Sequence, residues 1–502
     1  MKNTLEFNSR IFWAKTKFFS FRFLSYFSFL LIPIWVSKAV NLHPLIQAVL
    51  LTLYAFFVCS QWFLLGKEID HRFKIYFRVN SSIDRVIYRI FLGMFFFLLL
   101  FNLISLLNYK WINNSFWIVW SMLGLFYSWP TRGKIIQESV SSNFGEFRFL
   151  DSFEKTLLAL ILVTFVVTFP ELPPLMNVDA LKLYFDPMEK MGTPIWNFLT
   201  VNYFPFRPYP ALFRLSWSIH FYFVQLGLFL FLFYALLRYF VSRRLSLLGV
   251  FALVSSWSFS KILVTNNDFV FLTTFSILWL WTNLWTAKSS TYRSGLFLGL
   301  VGYWATLINV SFYLMFLFQL CLIYFILLKD KNRWYKGQVL KYALFGIVLS
   351  TVYFLNHLDS LEWIDSMSLK VLAYFKQEYA RKAFFSMSFI GVTMVIMKFF
   401  EDKWSHKYFK DIFIEKEHLK SLLVCLVSGL FFSIIVDPTF FIGFSTLWVL
   451  ALLGLLPLEF IFQSLHRLRS RRNFIYLLYI LICLLDSHFE GRVKLFVKIF
   501  FN

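Results

Sequence analysis

Apolar runs of about bilayer-spanning length, several of them short, recur along almost the whole of this chain. They fall near 23–40, 44–66, 90–108, 111–129, 154–170, 214–237, 245–263, 268–287, 294–308, 310–328, 341–357, 383–400, 421–436, 439–464 and 474–486. A helix needs about 20 apolar residues to span the hydrocarbon core. Inside that core only helices and closed barrels satisfy every backbone N–H and C=O. The chain is 59% hydrophobic and 15% charged, with mean hydropathy +0.66. A soluble protein carries roughly 25% charged residues. A soluble, all-helical chain of this composition would need a core larger than one domain builds. The expected fold is therefore an all-α polytopic membrane protein with about 13–15 transmembrane helices.

The net charge of +22 does not point to nucleic acid. Lys and Arg concentrate in alternate loops. Segments 1–22, 67–89, 130–155, 238–244, 288–293, 329–341, 401–420 and 466–472 hold 34 of them, against 11 in 109–114, 171–213, 358–382 and 487–502. The positive-inside rule then sets the N-terminus in the cytosol and 171–213 outside it. Anionic lipid headgroups are the expected partners of the basic loops. A multi-pass protein of a bacterial inner (plasma) membrane is the expected localisation. The basic N-terminus leads into its first apolar run without an A-x-A exit, so that run reads as a span. Cys59, Cys321, Cys425 and Cys483 all lie in apolar runs and read as small buried apolar residues. The tail 487–502 reads as an interfacial amphipathic helix, and its side depends on whether 474–486 crosses.

Three blocks follow in chain order. Residues 1–130 form a four-helix block, 150–328 a compact series of spans reached through a polar connector, and 329–502 further helices separated by charged loops. The largest polar stretch outside the cytosol is 171–213, between two apolar runs. Its segment 179–192 has the pattern of a short amphipathic helix lying along the membrane plane, carrying Asp179, Asp186 and Glu189. Asp179 over a cavity between spans suits a general base for a hydroxyl, or a carboxylate beside a phosphate and a divalent cation (Mg or Mn). A solvated loop acid is the plain alternative. Asp268 and Lys261 sit at the outward end of two spans joined by a tight turn; a helix cap and a snorkelling amine would also account for them. Arg207, in a stretch stiffened by Pro205, Pro208 and Pro210, suits bidentate phosphate contact or interfacial anchoring. His220 lies within a span, where it either hydrogen-bonds a neighbouring helix or serves as a ligand.

Taken in order, these pieces resemble the GT-C superfamily of integral-membrane glycosyltransferases. The nearest branch uses lipid-phosphate sugars and includes protein O-mannosyltransferases and lipid A aminoarabinose transferases. The resemblance lies in Asp179 soon after a first span, Gly192, and Arg207-Pro208-Tyr209-Pro210-Ala211-Leu212 before the second span. It continues in Lys261 to Asp268 at a small turn, and in Gly295-Leu296-Phe297-Leu298-Gly299-Leu300 opening a closely coupled helix pair. It implies a GT-C-like core with a long first extracytoplasmic loop. It also implies transfer of a sugar from a polyprenyl-phosphate donor to an envelope glycan, lipid or protein. Asp179 would act as base, Arg207, Tyr209, Lys261 and Asp268 would bind the donor phosphate and substrate, and Asp186, Glu189 and His220 would be secondary candidates. Any metal would fall to Asp179 and Asp268. Two other readings remain: a transporter or flippase of a lipid-linked or small substrate, and an inactive scaffold, since Ala180 stands where the family's second acid would be.

Overall fold

The computed structural model describes residues 44–73, 82–105, 150–168, 203, 206, 210–256, 269–289, 291–308, 310, 312–356, 391, 393, 418, 420–422, 452–462, 471–486 and 489–500. Among them every regular element is a helix. We number the helices α1 Pro44–Phe73, α2 Ser82–Ser105, α3 Ser152–Thr168, α4 Pro210–Ile219, α5 Gly227–Leu237, α6 Arg243–Ser255, α7 Phe269–Lys288, α8 Ser294–Ile308, α9 Phe312–Leu322 and α10 Arg333–Asn356. Three more follow: α11 Leu452–Phe462, α12 Arg472–Asp486 and α13 Phe489–Phe500. Two π-helical stretches, His220–Leu226 and Ile323–Leu327, interrupt apolar runs that the sequence reads as continuous. Among the described residues two helices, Leu45–Asp70 and Arg333–Asn356, are long and apolar enough to cross a membrane. A third crossing arises if α12 and α13, bent by 58°, count as one span.

Several helices begin before the apolar run that marks them. α2 starts at Ser82 rather than near residue 90, and α10 at Arg333 rather than near 341. Hydropathy locates the apolar part of a helix, whereas backbone hydrogen bonding continues through a polar first turn. In α10 that turn is capped: the Asn332 side-chain oxygen accepts the Tyr335 backbone N–H at 2.7 Å.

The chain forms two compact units, residues 1–149 with 176–224, and 150–175 with 225–502. In the first, α1 and α2 make an antiparallel pair held very close. A Cβ on Gly66 would strike the Arg89 carbonyl, and one on Gly93 the Trp62 carbonyl. Small residues at such crossings let backbones approach, and every neighbouring side chain gains contact. At the polar end of the pair the Arg89 guanidinium donates to Asp70 at 3.0 Å, with the aspartate 4% exposed.

The core of the second unit is largely aromatic. Trp281 and Trp285 of α7 stack with centroids 5.9 Å apart, and both meet Phe297 on α8 near-perpendicularly. Phe275 and Trp279 of the same helix meet Phe312 and Phe316 of α9. Packing thus accounts for many of the large aromatics in this unit. Within this apolar helix the Thr282 hydroxyl donates to the Leu278 carbonyl at 2.6 Å, so it needs no outside partner. α8 and α10 run parallel, with Gly295 against Val339 and Gly299 against Ala343. Of the three described cysteines Cys483 is buried, Cys59 partly so, and Cys321 exposed. That last position corrects the expectation that all four would be buried.

Candidate functional site

Asp179, Asp186, Glu189, Arg207, Tyr209, Lys261 and Asp268 lie outside the described residues; His220 lies within them. The structure describes both flanks of the 171–213 segment. On the C-terminal flank, Tyr203 and Phe206 are buried, and Tyr54 of α1 meets both rings, at 5.8 and 5.2 Å. The Tyr203 hydroxyl and His220 Nδ1 share a hydrogen bond, and Trp62 of α1 meets the imidazole edge-on at 5.8 Å. His220 is fully buried and opens the π-helical stretch. A π turn inserts an extra residue in a helix and re-aims the side chains around it. The hydrogen-bonding reading of His220 therefore has a concrete partner. That partner comes from the strip preceding the helix. Together these contacts fasten the end of the 171–213 segment to α1.

The N-terminal flank is the end of α3. There the Thr168 hydroxyl donates to the Thr164 carbonyl at 2.6 Å and accepts from the Arg492 guanidinium of α13 at 3.3 Å. Arg492 is fully buried. The tail was expected as a helix with its cations in the interface. α13 does form, and Lys494 and Lys498 are exposed, but Arg492 turns inward. An arginine among apolar residues is kept only where it finds hydrogen-bond acceptors. Its position beside the last turn of α3 also suits the negative end of that helix.

The best-defined polar cluster lies at the opposite end of α3. Asp151 and Glu154 form a capping box. The Asp151 side chain accepts the Glu154 N–H at 2.7 Å, and the Glu154 side chain accepts the Asp151 N–H at 3.0 Å. Glu154 also receives two bonds from the Arg243 guanidinium, each 2.7 Å. Arg244 donates to Asp151 through Nε at 2.9 Å and again through Nη2, and reaches the Asn473 side-chain oxygen of α12 at 3.2 Å. Glu459 of α11 accepts the Ser242 backbone N–H at 2.9 Å, closing the start of α6. Phe153 and Tyr476 pack 5.5 Å apart beneath. Four helices thus have one end in a single hydrogen-bonded cluster.

This cluster also orients the C-terminus. α3 and α12 start side by side at the Arg244 pivot, and they have 17 and 15 residues. At 1.5 Å per residue they extend roughly 25 and 22 Å. The next helix, α13, returns Arg492 to the far end of α3. Run 474–486 therefore traverses the same depth as α3, and the tail lies at the end of α3 opposite the ion pairs. A D-x-x-E spacing is a local signal for such a capping box, but in the sequence this stretch reads only as a polar connector. Its two arginine partners, some 90 residues away, carried no local signal.

Burial pushes the Asp151 carboxyl up. The Glu154 backbone N–H and the Arg244 and Arg243 guanidiniums outweigh that, and its pKa lies below the ordinary carboxylate value. The Arg243 guanidinium, bonded to Glu154, is held above its ordinary value. A depressed carboxylate stabilises the fold fully above its unfolded pKa, near about 3.9, and loses that contribution as pH falls through the lower folded value. Thermal stability in detergent is thus expected to fall more steeply below about pH 4 than in Asp151→Asn. Glu154 is 2% exposed, so Glu154→Gln leaves the Arg243 charge half-buried beside a neutral amide and should cost about 3 kcal/mol. The exchanged pair Glu154→Arg with Arg243→Glu should recover part of that loss, measured by melting of the purified protein. No recovery would mean that the two residues act separately.

Among the described residues no group of three or more His, Cys, Asp or Glu is arranged to hold a metal ion. Comparison with protein families, with curated proteins and with solved structures finds no match for this chain.

Proposed function

We propose that this chain is a multi-pass membrane protein that moves a sugar from a polyprenyl-phosphate donor to an acceptor on the extracytoplasmic face. Apolar surface supports the membrane half. α1 exposes Ile46, Val49, Leu53 and Phe56 at helical spacing, and α12 exposes Phe474, Leu477, Leu481 and Leu485, the last at 74%. Soluble monomers rarely expose patches of this kind, while a bilayer covers them. Support for the sidedness comes from segments 130–155, 238–244 and 466–472. Charge counting assigns all three to the cytosol, and all three border or feed the ion-pair cluster at the start of α3.

The observation that carries the transfer reading is the ordered series of Asp179, Gly192, Arg207–Leu212, Lys261–Asp268 and Gly295–Leu300. In that chemistry the acceptor oxygen attacks the anomeric carbon as the bond from that carbon to the phosphate oxygen breaks. Asp179 takes the hydroxyl proton. The polyprenyl phosphate leaves with the bonding pair, and Arg207 and Lys261 neutralise the charge that develops on it. Asp268 and Tyr209 hold the donor. One displacement inverts the anomeric centre. A divalent cation, if bound, would neutralise phosphate charge.

The test is a proteoliposome assay with radiolabelled polyprenyl-phosphate sugars and an envelope extract as acceptor. Label appearing in the acceptor supports the reading. Donor consumed from one leaflet and recovered intact in the other would replace it with lipid transport. No reaction with any donor would leave an inactive scaffold.

A further inference from the structure

We propose that the start of α10 binds the headgroup of an anionic phospholipid, an inference that rests on the membrane half of the reading above. α10 has two faces. Val339, Ala343, Gly346 and Ser350 are buried, and Gly295 and Gly299 of α8 press against this face. Leu344, Val348, Val352 and Leu355 are 50–58% exposed and form a stripe on the other face. From Trp334 to Leu355 is 21 residues, about 31 Å of helix, close to the roughly 30 Å hydrocarbon thickness of a bilayer. The stripe, Leu344 to Leu355, covers about 16 Å and lies in the half of the helix away from Trp334, where it faces the far leaflet. Lys341 is exposed one turn before Leu344. Helical side chains lean toward the N-terminus, so its ammonium can snorkel to the basic end.

At that end the surface changes character. Lys329, Lys331, Arg333 and Lys336 fall within eight residues, accompanied by one acid, Asp330. Lys331 lies 5.6 Å from the Tyr335 ring centroid and Lys336 5.4 Å from that of Tyr324. Tyr292 meets Trp334, Tyr335 and Tyr342, and the Tyr335 hydroxyl donates to the Ser289 carbonyl at 3.0 Å. Trp334 remains 61% exposed. The rings are thus fixed by the protein and hold the cations in place, while one indole is left to lie among headgroups. Aromatic rings with an apolar body and a polar edge settle at the membrane–water boundary. Cations beside them meet phosphate there, each contributing to attraction by anionic lipid. Cations held beside an exposed indole at this end fit the headgroup of a phospholipid carrying net negative charge.

The experiment uses the full chain reconstituted into nanodiscs of phosphatidylcholine with graded phosphatidylglycerol. Bound lipid is counted by native mass spectrometry after release. Wild type should retain phosphatidylglycerol preferentially, and Lys331→Gln with Arg333→Gln and Lys336→Gln should weaken retention about 10–100-fold. Lys494→Gln with Lys498→Gln, exposed cations on α13, should leave it unchanged. Equal retention of both lipids by wild type, or undiminished retention by the triple variant, overturns the headgroup site while leaving the membrane reading intact. A protein that stays soluble without detergent and ignores vesicles of pure phosphatidylcholine overturns the membrane reading itself.

Discussion

Asp179→Asn is expected to lower sugar transfer by about 10²–10⁴-fold, the usual contribution of a positioned general base. The amide keeps the size of the carboxylate and cannot take the acceptor proton. The loss should appear in kcat, because the proton moves only in the transition state. Donor binding, followed by retention of labelled lipid, should change little. Arg207→Gln is expected to behave differently. In the proposed mechanism the Arg207 charge meets phosphate both in the bound donor and in the leaving group, so donor retention and kcat should both fall. Normal transfer by the Asp179→Asn protein would remove Asp179 from the mechanism. Melting behaviour like that of wild type is the control.

Gly299→Leu is expected to damage the fold severely. Gly299 of α8 lies against α10 so closely that a Cβ would sit 2.6 Å from the Ala343 carbonyl oxygen. On the facing helix, the space that a Gly346 Cβ would occupy is filled by the Gly299 backbone. Backbone presses on backbone from both sides, so no side chain is free to swing away. Ordinary overpacking costs about 1–3 kcal/mol. Here the two helices must separate, and the cost should reach or exceed the upper figure. The readout is the fraction of purified protein that remains monodisperse in detergent, together with its melting temperature. Gly337→Ala supplies the contrast. Nothing lies within 4 Å of a Cβ there, and alanine is favoured over glycine in a helix by about 0.8–1.0 kcal/mol. That protein should melt slightly higher. Similar behaviour of the two variants would mean that the α8–α10 contact does not support the fold.

These glycines also mark the limit of what periodicity reveals. The Gly295–Leu300 run reads as the start of a closely coupled helix pair, and G-x-x-x-G spacing is legible as a packing face. The glycine face meets α10, which starts 25 residues beyond Ile308, and nothing local in α8 names it. Helix starts behaved in the same way. Apolar content marked the middle of α2 and α10, while their polar first turns carry no hydropathy signal. The π-helical stretches at His220 and Ile323 were equally silent, because a single inserted residue leaves an apolar run apolar. At the candidate site, the sequence singled out His220 as a buried polar residue but could not name Tyr203 as its partner. Arg492 read as one more cation of an amphipathic tail until the end of α3 was found beside it.

Composition and charge pattern alone determined that the chain is helical and apolar, which loops are basic, and where its polar segment 171–213 lies. These follow from local quantities: hydropathy over about 20 residues and the count of Lys and Arg in each loop. Tertiary structure alone decided which helices share an end, through Asp151, Glu154, Arg243, Arg244 and Asn473. It also decided that α12 runs the depth of α3 and returns Arg492 to the far end, and that α10 turns a small-residue face inward and an apolar one outward. The physical reason is range. A helix follows from hydrogen bonds four residues apart, whereas its partner is chosen by shape and charge that meet only after hundreds of residues of chain have folded back.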